Sequence, residues 1–317
     1  MDLTVWLELG VLGLLVGTFG TLIGAGGGFL LVPLLLLLYP DTPASTITAI
    51  SLAVVCMNAT SGSVAYARLG RIDYRTGIVF ALASAPGAVL GSLATGWLAR
   101  GTFDTVFGVV LILLALYLLI WGKSPEGHDR PEHVNLWLGG ILSFGVGFMS
   151  SVLGIGGGVI HVPLLIQFLG YPAHIATATS HFILAVMSLI GTATHIVNGD
   201  FVEGGRRTVA LSVGVLVGAQ LGAWLSQKVH GRWIMRSLAV GLLGVGGRLA
   251  THLFIGGSIA LLAAIVQVGT VDQDLLARHL LAMPTSSWAA YGFGIAGLVL
   301  GEAVLLFMLW RQRRRSS

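Results

Sequence analysis

Long apolar runs follow one another along the chain, separated by short polar or glycine-rich stretches. They cover about 5–23, 44–66, 76–99 and 104–121, then about 134–153, 174–196, 206–228 and 233–253. Runs of about 18 to 24 residues match a hydrocarbon core about 30 Å thick. The hydrophobicity is continuous rather than alternating, which predicts helices, and an open sheet cannot satisfy its edge hydrogen bonds in lipid. Two further apolar runs, 29–39 and 159–169, are too short to span alone. Each follows a cluster of glycines and contains a proline, so the pattern predicts a helix that stops and restarts, or a helical hairpin, at membrane depth. Such a break is tolerated only where its free backbone is buried in protein or lines a cavity.

The two breaks are copies of one another. Gly24-Ala25-Gly26-Gly27-Gly28-Phe29-Leu30-Leu31-Val32-Pro33 returns 130 positions later as Gly154-Ile155-Gly156-Gly157-Gly158-Val159-Ile160-His161-Val162-Pro163. Gly17 and Gly147 stand seven positions before their motifs, and Pro43–Ser51 aligns with Pro172–Ser180. Gly87-Ala88-Val89-Leu90-Gly91 corresponds to Gly218-Ala219-Gln220-Leu221-Gly222, small residues at a spacing that lets helices approach closely in lipid. The chain therefore divides into a first transmembrane repeat over 1–122, a polar linker over 123–133, a second repeat over 134–253 and a helical extension over 254–317 that ends in a basic tail.

Lysine and arginine near helix ends set the orientation. Arg68, Arg71 and Arg75 place one loop in the cytoplasm, which puts the loop near Asp41 outside and the linker, with Lys123, Glu126, Asp129, Arg130 and Glu132, inside. In the second half the basic cluster is Lys228, Arg232 and Arg236, which is not the equivalent loop. Equivalent loops facing opposite sides are the mark of inverted-topology repeats. Arg311, Arg313, Arg314 and Arg315 place the tail inside, whereas two clean crossings after 253 place it outside, so the helix count there stays open.

Composition narrows the class. Of the 317 residues, 55% are hydrophobic and 9% charged, far below the roughly 25% charge of soluble domains. Asp2 and Glu8 stand where a cleavable leader would carry basic residues, so the first run reads as a mature helix in a bacterial-type cytoplasmic membrane. The net charge of +4 sits in short loops and the tail, where orientation explains it, and nucleic acid is excluded as a partner. The single cysteine, Cys56, permits neither an intramolecular disulfide nor a cysteine metal cluster.

A glycine break at mid-membrane leaves N–H groups unpaired and turns the positive end of a helix dipole toward the gap. Gly26, Gly27, Gly28, Gly156, Gly157 and Gly158 are thus candidate anion-binding backbone, with Thr48, Ser51, Thr177 and Ser180 as hydroxyl donors and Asn58 as a further polar candidate. The same glycines also suit close packing alone, and the hydroxyls also suit bonding to helix backbone. Three imidazoles break the symmetry: His161 replaces Leu31, His181 replaces Leu52 and His195 replaces Tyr66. Ionisable groups in a membrane are functional candidates, so these three and Glu302, which is placed to pair with Arg248 or relay protons, are candidate coupling residues.

The duplicated glycine motif running into Val-Pro, the Pro-to-Ser segment and the Gly-Ala-x-x-Gly helix resemble the TauE/SafE family of sulfite exporter-like membrane proteins over residues 5–253. The resemblance implies transport, usually outward, of small sulfur-containing anions such as sulfite, sulfoacetate or organosulfonates. Independently of it, two helix starts and hydroxyl donors without a full lysine or arginine clamp favour an anion carrier that releases what it binds. No Walker motif is present, which leaves secondary transport by alternating access, without cofactor, resident metal or catalytic residue. Its expected partners are a small anion, the lipid bilayer, a coupled proton and a further copy of the chain. Two competing readings are a metal cation transporter using His161, His181 and His195, and an intramembrane enzyme with Ser51 or Ser180 as nucleophile and His181 as base.

Overall fold

The computed structural model describes residues 3–39, 41–98, 100–121, 135–201, 204–229, 236 and 239–244. The linker over 123–133, most of the apolar run 233–253, the extension over 254–317, Arg248 and Glu302 lie outside the described residues. Among the described residues every regular element is helical. The helices are α1 (Leu3–Ile23), α2 (Gly28–Leu38), α3 (Ala44–Arg68), α4 (Tyr74–Thr95), α5 (Arg100–Trp121), α6 (Leu136–Val152), α7 (Gly158–Pro163, continued by a π-helical turn Leu164–Phe168), α8 (Ala173–Val197) and α9 (Gly205–Ser226). Five of them, α1, α3, α4, α8 and α9, are long and apolar enough to cross a membrane.

The helix expected over 76–99 ends earlier, at Thr95. Its last turn tightens, with Trp97 and Leu98 donating their amides to Ala94 and Thr95, while the Thr95 hydroxyl lies 3.0 Å from both Gly91 O and Val152 O. Trp97 then stands exposed, as an amphipathic ring suits a membrane–water boundary.

Small residues decide which helices touch. α1 packs along α9, and α4 packs along α6. A Cβ on Gly218 would meet Leu14 O and, at 2.8 Å, Thr18 N; one on Gly87 would meet Phe144 O and, at 2.8 Å, Phe148 N. Gly222 meets Thr18 O and Leu22 N, and Gly91 meets Phe148 O and Val152 N. Positions 14, 18 and 22 correspond to 144, 148 and 152, so the same contact is made twice with the halves exchanged. α3 packs on α8, and the α3–α9 contact is mirrored by α8–α4. Each half thus closes on the other, α1 against α9 and α6 against α4. In lipid, where apolar surface brings no net drive between helices, such backbone approach supplies the dispersion contact that holds a bundle.

The flanks of α3 and α8 are also copies. Each helix is capped by a proline, Pro43 or Pro172, and each ends in a turn with a glycine at positive φ, Gly70 at 65° and Gly199 at 78°. The following residue bonds back five positions in both, Arg71 N to Tyr66 O and Asp200 N to His195 O.

Candidate functional site

The two glycine segments share one backbone conformation. Gly24, Gly26 and Gly27 have φ of 78°, 73° and 81°, and Gly154, Gly156 and Gly157 have 69°, 79° and 86°. Side-chain-bearing residues rarely adopt this region, which is why glycine recurs at these three places and why Ala25 and Ile155 are tolerated between them. α1 stops at Ile23 and α2 starts at Gly28, with Gly27 as a left-handed N-cap that no side chain supplements. α6 stops at Val152, and α7 starts at Gly158 behind the same kind of cap, Gly157. The first-turn amides of both helices are those that a helix leaves without an intrahelical acceptor.

The segments meet in the protein interior. A Cβ on Gly28 would fall 2.9 Å from Gly154 O and 2.8 Å from Ile155 O, and one on Gly158 would fall against Gly24 O and 2.8 Å from Ala25 Cα. A Cβ on each first glycine would also meet the other half's threonine: on Gly24, Thr177 Cα at 2.8 Å, and on Gly154, Thr48 Cα at 2.9 Å. Val55 and Leu184, at equivalent positions, both fill the space beside Gly26 and Gly156. All of these positions are buried.

Two serines clasp the segments reciprocally. Ser51 Oγ donates to Gly154 O at 2.7 Å, and Ser180 Oγ donates to Gly24 O at 3.2 Å. These carbonyls sit where an interrupted helix leaves C=O groups without partners, so the serines satisfy buried acceptors of the opposite half. The clasp occupies the hydroxyl protons that sequence reasoning assigned to an anion. Thr48 is likewise engaged, its hydroxyl 3.0 Å from Ala44 O and 2.9 Å from Ser45 O of its own helix. Thr177, its counterpart, is 1% exposed, and its hydroxyl has no hydrogen-bond partner among the described residues.

Beyond the serines the halves diverge. Around the first segment, Asn58 Nδ2 donates to Gly26 O at 3.1 Å while Asn58 Oδ1 accepts from Thr21 Oγ1 at 3.2 Å. With its own proton given to Asn58, Thr21 Oγ1 accepts from His181 Nε2 at 3.1 Å, and Tyr66 Oη donates to Thr21 O at 2.7 Å. The Tyr66 and His181 rings pack edge to face at 5.7 Å. The network joins α1, α3 and α8 across both halves. Around the second segment, Met187 occupies the place of Asn58, and His161 does the holding, with Nδ1 3.2 Å from Gly157 O and Nε2 3.2 Å from Ser143 Oγ.

The three histidines are therefore apart. His161 binds its own segment and α6, His181 binds Thr21, and His195 Nδ1 lies 2.7 Å from Asp200 Oδ2. Among the described residues no group of three or more His, Cys, Asp or Glu gathers as a metal would require. Ser180 and His181 engage different groups, Gly24 O and Thr21 Oγ1 respectively. Gln220 reaches Ser61 on an exposed face, linking α9 to α3.

Thr21, Tyr66 and Ser143 completed these networks without having been singled out as site residues. Thr21 stands three positions before its motif, and Tyr66 is the residue that His195 replaces; those were their available signals. A further polar group, Asp73, caps α4 and accepts from Tyr171 Oη at 2.6 Å, while its amide donates to Thr179 Oγ1 at 3.0 Å.

A family model described as "Sulfite exporter TauE/SafE" matches residues 9–249. A Bacillus subtilis protein, "Probable membrane transporter protein YunE", is 29% identical over 261 residues, covering 75% of this chain and 95% of its own length. A Methanocaldococcus jannaschii protein also named a membrane transporter is 26% identical over 251 residues, covering 74% of this chain and 92% of its own. A Xylella fastidiosa protein of the same description is 30% identical over 220 residues, covering 68% and 82%. No solved structure matches.

Proposed function

The chain belongs to the TauE/SafE sulfite exporter family, and from that premise we propose that it is a secondary transporter, outward-directed, of sulfite, sulfoacetate or other organosulfonates. Its two halves act as inverted repeats working by alternating access, and the substrate is held where the starts of α2 and α7 meet. The observation that carries this reading is the meeting itself: Gly28 lies against Gly154 and Ile155, Gly158 lies against Gly24 and Ala25, and neither helix start has a side-chain cap. Helix starts offer amides and a positive dipole end to an anion, and a low-dielectric interior strengthens both. The exchange of helix neighbours between halves supports motion of one half against the other about this place.

Within the site Thr177 is the hydroxyl free to turn to a substrate, because Ser51, Ser180 and Thr48 already donate to carbonyls. The test is uptake of radiolabelled sulfite by proteoliposomes, with sulfate, sulfoacetate, taurine and oxalate as competitors. Thr177→Val is expected to fold as the wild type and to lower uptake about tenfold, the loss of one hydrogen bond to a charged group. Thr48→Val is expected to transport normally. Wild-type liposomes that take up no sulfur anion above empty ones would overturn the substrate class, and equal rates for the two threonine variants would move the substrate elsewhere.

A further inference from the structure

The end of α8 carries a pair of groups that the networks around the glycine segments do not use. His195 is fully buried, and its Nδ1 lies 2.7 Å from Asp200 Oδ2, whose side chain is 20% exposed. An ionised carboxylate only accepts, so the bonded proton belongs to Nδ1, and the neutral imidazole carries its free lone pair on Nε2. That nitrogen is buried without a partner. Asp200 thus faces the solvent end of the helix while the basic atom of the ring faces inward.

The surroundings of His195 are short of partners in the same way. Gly191 lies one turn before it on the same helix face, and a Cβ there would stand 3.2 Å from Ser92 Oγ and 3.5 Å from Ser151 Oγ. The Ser151 hydroxyl, like that of Ser150, is buried without a partner. The equivalent place in the first half is bonded at its hydroxyls: Tyr66, at the register of His195, donates to Thr21 O, and Thr21, at the register of Ser151, bonds both Asn58 and His181. One turn of the fold has therefore been built twice, once with its hydroxyls bonded to one another and once with an imidazole whose inner nitrogen and the Ser151 hydroxyl are without partners among the described residues, while Ser92 Oγ lies 3.5 Å from Gly191 O. A buried polar atom without a partner is costly, and it persists where an occupant completes it.

We propose that the His195–Asp200 pair is a proton-binding site and that the proton it carries is the ion coupled to transport. The second clause rests on the transporter reading above; the first does not. One proton adds to the Nε2 lone pair, the imidazole becomes imidazolium, and Asp200 remains a carboxylate that neutralises it. No bond to carbon or sulfur changes. A proton needs no cavity, which suits a seam where a methyl on Gly191 would already meet Leu52 Cδ1 at 3.0 Å.

Asp200 is the charged group paired with His195 among the described residues. α4 meets this level of α8 with Ser92, α6 with Ser151 and α3 with Leu52. Other titratable groups on the helices packed against α8 lie at other levels. In α3, Cys56 is beside Ser188, and Tyr66 and Arg68 lie toward His181; in α4, Tyr74 and Arg75 are at the opposite end from Ser92. Glu8 is near the far end of α1, and His161 lies at the level of Met187. His181 itself is fourteen residues earlier on α8, about 21 Å along the axis.

Two measurements on the full-length protein test the proposal. In nanodiscs, the imidazole nitrogen resonances of His195, assigned by their loss in His195→Gln, are expected to pass from neutral to imidazolium as the pH is lowered across the range in which the protein stays folded. An unchanged charge state across that range would overturn the proton site. In proteoliposomes containing pyranine, an imposed sulfite gradient is expected to move protons above the level of empty liposomes, and both His195→Gln, which keeps the volume without the titrating ring, and His195→Tyr, which installs the first-half residue, are expected to lose that proton signal. Sulfite flux in the wild type with no accompanying proton signal would overturn the coupling, as would a proton signal that survives His195→Tyr. Absence of sulfite flux in the wild type would instead refute the substrate class, and the nitrogen resonances would still decide the proton site.

Discussion

The two glycine segments have the same backbone and are held by different means. The first is gripped from outside itself: Asn58 on α3 takes Gly26 O, and Thr21, Tyr66 and His181 tie the end of α1 to α3 and α8. The second is held mainly from within, by His161 of α7 reaching back to Gly157 O and across to Ser143. Around the first segment Asn58, Thr21 and Tyr66 bond one another or nearby backbone, whereas around the second, among the described residues, Thr177, Ser150, Ser151 and the inner nitrogen of His195 have no partner; Ser63 Oγ and Arg71 Nη1 are the unpartnered atoms of the first half. The lesson is that a duplicated scaffold separates two duties. Backbone conformation and close helix approach are kept in both copies because geometry demands them, while the polar side chains laid over that geometry differ, one set binding the fold together and the other remaining available.

Perturbations of equal and unequal effect in the two halves sharpen this contrast. The largest effect should be the same on both sides: Gly87→Leu and Gly218→Leu each drive a side chain into backbone of the facing helix, a cost of about 3 kcal/mol or more, and neither variant should give a monodisperse peak in detergent. Survival of one but not the other would break the equivalence of the two packing seams. Next, Asn58→Leu should destabilise by about 1–3 kcal/mol, since it leaves Gly26 O and Thr21 without their partner, whereas Met187→Leu should cost less than about 1.5 kcal/mol. Thermal unfolding in detergent compares them, and similar losses would mean that the first segment is not specially gripped. Smallest, Ser51→Ala and Ser180→Ala should each cost about 1 kcal/mol, with closely matched melting shifts, because each removes one hydroxyl from a carbonyl of the opposite half. A marked inequality between them would show that the clasp is reciprocal in geometry but not in energy.

Much of the architecture was readable from particular residues. Glycine at 24, 26 and 27, and again at 154, 156 and 157, marks backbone that other residues avoid, and all six have positive φ. The small residues Gly87, Gly91, Gly218 and Gly222 indicated close helix contact, and each meets facing backbone. The partners of those contacts were not readable. Thr21 and His181 are 160 positions apart, and no local pattern assigns one to the other. Ser51 and Ser180 were singled out as hydroxyls for a substrate, yet their protons go to Gly154 O and Gly24 O, because carbonyls freed by one half's interruption are brought against the serine of the other.

By itself the sequence determined an all-helical membrane chain, the recurrence of its glycine motif, and the positions where imidazoles stand in the second copy. These are local matters, set by the length of apolar runs, by the backbone freedom of glycine and by comparison of one half with the other. The tertiary structure decided which polar atoms are spent and which are left over, since a hydroxyl or imidazole has no fixed role until packing supplies or withholds its partner. His181 and His195 look alike in sequence, each an imidazole in α8. Only the fold hands one of them to Thr21 and pairs the other with Asp200.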